Sequence, residues 1–356
     1  MIAVIGLGFG DEGKGLATDF LCSEAVAGGL HPVVVRFNGG HQAGHTVVRD
    51  SVRHVFSHFG SGTLLGAPTV WSRWCTFEPI GFMNERQVLR DKGVDPVFVA
   101  DPLCPVTTPY DIAYNRDREG SVRHGSVGVG FGATLQREED HRHLFLQDLL
   151  CERVVVMKLH YIKEYYKGLG MDVDIDTRPF LLAANEAIKL APVLPTVFMW
   201  DALHPLIFEG AQGVLLDQRF GFFPHVTRSN TTSTNAREFG GRSMKTLFVT
   251  RSYQTRHGNG PMMGGGDGKP VVLKNNADET NVSHSFQGEF RTAPLDPEML
   301  RYAMRCDGSQ NADLLITCMD QYEIDVRDLL NKLKTPFGRV LLSYGPSAKD
   351  VIEYKS

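Results

Sequence analysis

The amino-acid sequence predicts an α/β protein whose central, largely parallel sheet is wrapped by helices. Three observations predict this class. A βαβ unit opens the chain, and short apolar runs of the length of buried strands recur along it. The 356 residues are 42% hydrophobic and 22% charged, which is the balance of an ordinary globular protein.

The βαβ unit occupies the start of the chain. Residues 2–6 form an apolar run, which we expect to be a strand, and a glycine-rich loop follows it. Residues 16–27 repeat apolar side chains at helical spacing, and the three valines at 33–35 predict the next strand. This order indicates a parallel strand pair joined by a crossover helix.

Four later apolar runs predict further central strands. They occupy residues 206–208, 246–249, 314–316 and 340–342. From about 143 to 191 the apolar residues recur at helical spacing, so we expect a helical insert there. We interpret residues 1–356 as a single domain that carries this insert.

Composition and charge exclude several classes of protein. The net charge of −4 argues against a general nucleic-acid binder, which needs basic residues to neutralise phosphates. The six cysteines include no C-x-x-C pair, so neither a zinc site nor a disulfide framework is indicated. No basic and apolar leader and no run of about 18 apolar residues is found. We therefore expect a cytoplasmic protein without nucleic-acid or membrane partners.

The loop from Gly8 to Gly15 has the spacing of a phosphate-binding loop, G-x-x-x-x-G-K. In such a loop a Ser or Thr after the lysine ligates Mg²⁺, but here Gly15 follows the lysine. Asp11 and Glu12 add carboxylates, which we expect in the first turn of the next helix, near a bound phosphate. The alternative is that the two acids only complement the helix dipole. The pattern argues against plain nucleoside triphosphate hydrolysis.

Two histidines and several glycines follow the second predicted strand, within residues 36–46. Glycine lets a ligand approach the backbone closely, and histidine can donate to a developing anion near neutral pH. His45 lies past a strand end, near where the first loop also projects, so we predict a catalytic role for it. For His41 we favour the simpler interpretation, a solvated loop residue.

Four motifs follow one another along the chain. They are Gly-Asp-Glu-Gly-Lys-Gly at 10–15, Gly-Gly-His-Gln-Ala-Gly-His-Thr at 39–46, Phe-Glu-Gly-Ala-Gln-Gly at 208–213 and Val-Thr-Arg-Ser-Asn-Thr-Thr at 226–232. Together they resemble the adenylosuccinate synthetase family, from residue 2 to Pro346, and imply its P-loop-like fold. The resemblance also implies a homodimeric carbon–nitrogen ligase of purine biosynthesis. Such an enzyme joins L-aspartate to C6 of a 6-oxopurine nucleotide, using Mg²⁺ and a nucleoside triphosphate.

The resemblance implies a role for each matching residue. Asp11 would remove the N1 proton of the purine and ligate Mg²⁺, His45 would stabilise charge during phosphoryl transfer, and the Gly44 carbonyl would reach the metal. The triphosphate nucleotide would contact Gly10, Glu12, Gly13, Lys14, Gly15, Gly44, His45, Thr46, Asp320, Ser343, Gly345 and Pro346. The substrate nucleotide would contact Asp11, Asn38, Gln42, Ser126, Val127, Arg142, Gln212 and Thr227. The aspartate would contact Ser285, Gly288 and Arg291.

The glycine segment 125–132 departs from the family pattern Gly-Thr-Thr-Gly-Arg-Gly-Ile-Gly. Ser126 keeps a hydroxyl for the substrate phosphate, but Val127 and Val129 replace the second Thr and the Arg. In the family an arginine supplied across the dimer follows. Either Arg137 or Arg142 can fill that role, and the resemblance does not choose between them.

Two further departures concern the substrates. The family's aspartate loop, Thr-Thr-Gly-Arg-x-Arg-Arg, keeps only Arg291 here, and Glu289 or Phe290 replaces an arginine that reaches the ribose. This change favours a deoxynucleotide, and the alternative is simple drift of the loop. The family's guanine clamp is Leu-Thr-Lys-x-Asp. Here Cys318 replaces the lysine while Asp320 remains, and this change favours ATP as the phosphoryl donor.

These departures resemble the bacteriophage branch of the family, which makes 2-aminoadenine for modified DNA. In that branch dGMP, L-aspartate and ATP give N6-succino-2-amino-2′-deoxyadenylate through a 6-phosphoryl purine, in the host cytoplasm. The alternative is an ordinary adenylosuccinate synthetase that uses IMP and GTP, and Asp11 keeps it open because some phage members carry Ser there. A nucleotide-binding regulatory module on the same fold is a third possibility. The residues do not choose between ATP and dATP, nor exclude GMP.

Overall fold

A computed structural model describes residues 1–122, 126–192, 204–241, 243–262, 270–274 and 289–355. The predicted α/β class is confirmed. The strands are β1 (Ile2–Gly6), β2 (Val33–Arg36), β3 (Gly39–Gly40), β4 (His45–Arg49), β5 (Val52–Phe56), β6 (Thr69–Trp71), β7 (Cys75–Thr76), β8 (Phe98–Ala100), β9 (Leu206–Gly213), β10 (Lys245–Arg251), β11 (Tyr253–His257), β12 (Phe290–Pro294), β13 (Ala312–Thr317), β14 (Val340–Ser343) and β15 (Val351–Glu353). The helices are α1 (Lys14–Ala27), α2 (Pro79–Asp91), α3 (Pro109–Val122), α4 (Phe131–Glu139), α5 (Glu152–Gly168), α6 (Arg178–Leu190), α7 (Thr234–Gly240), α8 (Pro297–Asp307) and α9 (Val326–Leu333).

One large sheet organises the part of the chain that the structure describes. Its nine strands lie in the order β15-β14-β13-β10-β1-β9-β2-β6-β8. Neighbours run parallel, except that β15 pairs antiparallel with β14. Buried apolar side chains cover both faces of the central strands, as the continuous apolar runs predict.

The predicted strands and the first helix are confirmed as β1, α1, β2, β9, β10, β13 and β14. One expectation is wrong. Asp11 and Glu12 are not in the first helical turn, because α1 begins at Lys14. The backbone before it passes through left-handed conformations, with φ 60° at Asp11 and 90° at Gly13, and a right-handed helix cannot include such residues.

The segment predicted as a helical insert contains α5 and α6. Leu159 of α5 and Phe180 of α6 join a buried cluster that also contains Phe77 and Phe82, and α6 packs against α2. That the chain forms one domain stays a prediction. Within the described ranges, no helix is both long enough and apolar enough to cross a membrane.

The sheet topology brings the candidate motifs together. β10, β1, β9 and β2 are neighbours, so the loops that leave their carboxyl ends meet at one edge of the sheet. In open α/β sheets ligands bind in the crevice at this edge. We therefore expect the site there.

Candidate active site

A cavity of about 1170 Å³ opens at the carboxyl edge of the sheet. Loops from both halves of the chain line it. The predicted site residues on its wall are Asp11, Glu12, Gly13, Lys14, Gly15, Gln42, Gly44, His45, Thr46, Ser126, Val127, Gln212, Thr227, Asp320, Gly345 and Pro346. Residues predicted for the triphosphate and for the substrate nucleotide thus share one cavity.

Other predicted residues lie off this wall. They are Gly10, Asn38, Arg142, Ser343 and Arg291. The Asn38 amide is buried and bonds the backbone of Ala211 through both of its polar atoms, at 3.0 and 2.8 Å, so it braces β9 instead of facing a ligand. The buried Ser343 hydroxyl donates to the Gly345 carbonyl at 2.7 Å. Ser285 and Gly288 lie outside the described residues.

Arg137, one of the two arginines predicted for a dimer contact, is bonded inside its own chain. Its side chain is fully buried. It donates to Asp111 at 2.8 Å, to Glu138 at 2.8 Å and to the Val106 carbonyl at 2.8 Å. The neighbouring carboxylates raise the pKa of Arg137 despite its burial. Of the two candidates only Arg142 is exposed.

Glu12 organises the phosphate loop from within. Its buried carboxylate accepts from the backbone N–H of Gly8 at 2.7 Å and of Gly10 at 3.1 Å, and from Lys14 Nζ at 2.8 Å. A Cβ at Gly6 would meet the Glu12 carboxylate and Lys14 Nζ, so a side chain there would displace this ion pair. Glu12 therefore fixes the loop and directs the Lys14 ammonium, which lines the cavity with the first turn of α1.

Asp11 presents a carboxylate to the cavity. The side chain is about one third exposed, and its Oδ2 lies 3.2 Å from His257 Nε2. Burial alone would raise the pKa of Asp11, but the hydrogen bond from His257 and the charges of Arg251 and Lys14 outweigh it and lower that pKa. The carboxylate is therefore ionised at neutral pH, as a metal ligand or a proton acceptor requires.

His45 is held by a buried carboxylate that the sequence reasoning missed. Its Nδ1 lies 2.7 Å from Glu209 Oε1, and Glu209 also accepts from the backbone N–H of Ser61 at 3.1 Å and from the Ser61 hydroxyl. Because a carboxylate only accepts, neutral His45 carries its proton on Nδ1 and leaves Nε2 to other partners. The sequence did offer one signal for this pairing: a glutamate follows the apolar run of β9, and a buried charged side chain needs a partner.

The pKa values of this pair shift with burial and with neighbouring charges. Burial lowers the pKa of His45, and the charges of Arg36 and Lys14 add to this effect, while Glu209 opposes it. Burial would raise the pKa of Glu209, but His45, Arg36 and Ser61 together lower it. Glu209 is therefore ionised, and negative charge arriving in the cavity would favour protonation of His45.

Arg291, which the resemblance predicts for the aspartate, lies on β12 beside Arg256 on β11, a residue that the sequence analysis missed. Arg256 and Arg291 are in register, and Arg256 lines the cavity with its guanidinium 4.2 Å from the ring centre of Phe9. Among the described residues, their hydrogen bonds go to backbone carbonyls, two for each arginine. Burial and the charge of Arg291 lower the pKa of Arg256 to about 10. Paired cations of this kind suit a carboxylate ligand.

The residues present fit a hard divalent cation. No group of three or more His, Cys, Asp or Glu side chains that could hold a metal occurs in the described ranges. Mg²⁺ is usually bound through one or two carboxylates together with substrate phosphates, so a dedicated cage is not needed. Asp11 and the exposed backbone of Gly44 both line the cavity and offer such oxygen ligands.

A family model and a sequence relative both name adenylosuccinate synthetase. A family model of adenylosuccinate synthetase matches residues 3–334. The adenylosuccinate synthetase of Saccharophagus degradans is 30% identical over an alignment 363 residues long, which covers 95% of this chain and 80% of the relative.

Two solved structures share the fold. The fully ligated adenylosuccinate synthetase from Plasmodium falciparum matches with TM-score 0.82 and 19% identity, over 99% of each chain. The cyanophage S-2L succinoaminodeoxyadenylate synthetase, solved with dGMP and with dATP as an energy donor, matches with TM-score 0.69 and 17% identity, over 100% of this chain and 95% of that chain.

Proposed function

Because the chain belongs to the adenylosuccinate synthetase family of carbon–nitrogen ligases, we propose that it condenses dGMP with L-aspartate. ATP and Mg²⁺ support the reaction, and the products are N6-succino-2-amino-2′-deoxyadenylate, ADP and phosphate. The product supplies 2-aminoadenine for a bacteriophage genome. The S-2L protein bound to dGMP and dATP has the same fold, which is compatible with this assignment.

The choice of a deoxynucleotide depends on one observation. Where the family has an arginine for the ribose, β12 begins with Phe290, whose ring lies 5.1 Å from that of His257 on the cavity wall. Neither Phe290 nor the exposed Glu289 can donate as an arginine does. A ribose 2′-hydroxyl would lose a partner at this position, whereas deoxyribose loses nothing.

The choice of ATP depends on Cys318. This residue lines the cavity beside Asp320 and has φ 61°. A thiol cannot reproduce the long lysine stem that packs on guanine in the family pattern, nor its charge. Asp320 by itself favours guanine, and it is the observation that supports the second candidate, IMP with GTP.

The proposed reaction uses the geometry of the cavity in two steps. Asp11 accepts the N1 proton of the purine, which moves negative charge onto O6. O6 then attacks the γ-phosphorus of ATP, the bond from that phosphorus to the bridging oxygen breaks and ADP leaves, while Lys14 and His45 stabilise the phosphoryl oxygens. In the second step the aspartate amine attacks C6, the C6–O bond breaks, and phosphate leaves as the amine gives up a proton. Mg²⁺, held by the Asp11 carboxylate and the Gly44 carbonyl, would neutralise phosphate charge.

A substrate panel tests the proposal directly. Aspartate is offered with IMP, GMP or dGMP, and with ATP, dATP or GTP, and the product mass and kcat/KM are measured. We expect dGMP with ATP to be preferred over IMP and GMP by about 10-fold or more. Product only from IMP with GTP would establish the ordinary enzyme, and no product from any combination would favour a regulatory module.

Arg291 is proposed to bind a carboxylate of aspartate next to Arg256. Replacing it with leucine should raise the KM for aspartate about 10-fold or more, because one charge-assisted hydrogen bond is lost. The KM values for dGMP and ATP should stay within about 3-fold. Arg305→Leu, on the exposed face of α8, is the matched control. An unchanged KM for aspartate would remove Arg291 from the subsite.

We also propose one domain and a homodimer in which Arg142 serves the partner's nucleotide site. Its exposure beside α4 is compatible with that role. A sedimentation mass of one chain at assay concentrations would contradict the dimer.

A further inference from the structure

His41 connects two segments that line the cavity. Its own segment, the turn 40–43, presents Gln42 to the cavity and is closed by a backbone hydrogen bond of 3.2 Å. Its Nε2 lies 3.1 Å from the carbonyl oxygen of Val129, in the glycine loop 126–130. Val129 also lines the cavity. The expectation that His41 is a solvated loop residue is therefore wrong.

The hydrogen bond to Val129 fixes the tautomer of His41. A carbonyl oxygen only accepts, so Nε2 carries the proton. The other ring nitrogen, Nδ1, is buried and has no partner among the described residues. Burial lowers the pKa of His41 to about 3, and the charge of His58 adds to this effect. The ring is therefore neutral near neutral pH, and its one N–H is committed to Val129.

A stack of rings holds His41 in this orientation. The ring of His41 lies 5.6 Å from that of His58, with 13° between the planes, and His58 lies 5.5 Å from the ring of Trp71, with 10° between the planes. Trp71 is fully buried on β6, and its Nε1 donates to the His58 carbonyl at 2.6 Å. Offset parallel rings at such distances attract each other. The core of the protein therefore aims the N–H of His41 at Val129.

Helix α3 also holds the glycine loop 126–130. Asn115 and Arg116 of this helix form hydrogen bonds of 2.9 Å with it. The bond from His41 differs from these, because it joins the loop to the segment 40–45, which ends in His45. The distance between the loop and His45 therefore depends on His41.

We infer that His41 is a positioning residue, whose Nε2–H holds the loop that receives the substrate phosphate at a fixed distance from His45. A nucleotide monophosphate has to reach both places at once, with its phosphate at the loop and its base at the centre of phosphoryl transfer. A loop that is already in place binds the phosphate without an ordering cost. The inference rests on the proposed function for the monophosphate site, but not on which purine the substrate carries.

Two substitutions of His41 separate its N–H from its ring. Phenylalanine keeps a flat ring for the stack and has no N–H, whereas the amide of glutamine can place an N–H where Nε2 stood. We expect His41→Phe to raise the KM for the nucleotide monophosphate about 10-fold, and to leave kcat and the KM values for ATP and aspartate within about 3-fold. His41→Gln should keep the KM for the monophosphate within about 3-fold of the wild type.

Stability measurements separate positioning from a general loss of structure. Phenylalanine removes the buried Nδ1, which has no partner among the described residues, so His41→Phe should melt within about 3 °C of the wild type. His160→Phe makes the same change on the exposed face of α5 and should leave every KM unchanged.

Hydrogen exchange of the ligand-free protein reports on the loop directly. The N–H groups of Gly128 and Gly130 are bonded to Ser126 and Asn115, so their exchange requires the loop to open. Exchange in this loop, followed by mass spectrometry, should be about 10-fold faster in His41→Phe and unchanged in His41→Gln.

Each outcome decides the inference. If dGMP is turned over and its KM is unchanged in His41→Phe, the inference fails while the proposed function stands. An equal rise of the KM in His41→Gln, an equal rise of all three KM values, or a His41→Phe protein that does not fold would also overturn it. If IMP is the purine turned over and His41→Phe raises the KM for IMP alone, the inference stands and the proposed dGMP specificity fails.

Discussion

Replacing Asp11 with alanine is expected to abolish phosphoryl transfer, with kcat lower by about 10³-fold or more. Asp11 is proposed to take the N1 proton and to supply an oxygen to Mg²⁺, and among the described residues on the cavity wall it is the carboxylate that pairs with His257, at 3.2 Å. Glu12 cannot replace it, because its two oxygens are committed to the loop N–H groups and to Lys14. Binding of dGMP should be largely retained.

The measurement is a single-turnover assay of ADP formation in the presence of dGMP, with calorimetry for binding. Because Asp11 has φ 60°, alanine there also carries a backbone cost. Asp50 has φ 45°, is exposed and pairs with Lys349, and neither residue lines the cavity, so Asp50→Ala carries a comparable backbone cost without the chemistry. An active Asp11→Ala enzyme would refute the assigned role.

The parts of the fold that could be predicted from sequence are those buried on both faces. β1, β9, β10 and β13 each contain a short continuous apolar run because helices cover each side of a parallel sheet. β6 and β8 escaped prediction because they contain only three residues each and take their register from a neighbour, β6 from β2 and β8 from β6. The hairpin of β4 and β5 was also not predicted, because His45 and Thr46 at its start belong to the motif that we interpreted as a ligand-binding loop.

The site was predictable to the extent that glycine motifs follow strands. Loops after parallel strands meet at one edge, so Asp11 and His45 share a cavity as expected. Side-chain partners were not predictable, because they come from distant segments. Glu209 lies 164 residues from His45, and Ala211 lies 173 residues from Asn38. Only the placement of β9 between β1 and β2 brings them together.

The second large effect is expected at Glu209, where glutamine should lower kcat about 100-fold while leaving the KM values within about 3-fold. An amide removes the negative charge that supports protonated His45, and it cannot accept from His45 and from both Ser61 donors with one oxygen. With Nδ1–H held by Glu209, His45 can donate from Nε2 only when protonated. Without the carboxylate the pKa of His45 falls further, so the decline of kcat with rising pH should move to lower pH.

Glu85 provides the matched control for this prediction. It is also a buried carboxylate between histidines, with His54 at 3.6 Å and His58 at 3.4 Å, but it does not line the cavity. Burial would raise the pKa of Glu85, yet the neighbouring side chains of His54 and His58 and the backbone N–H of His58 lower it to about 2. Since a carboxylate with a depressed pKa stabilises the folded state above its unfolded pKa, Glu85→Gln should lower the melting temperature at neutral pH. The kcat and the pH profile of Glu85→Gln should equal those of the wild type. If Glu209→Gln also had the kcat and pH profile of the wild type, His45 would not need its carboxylate partner.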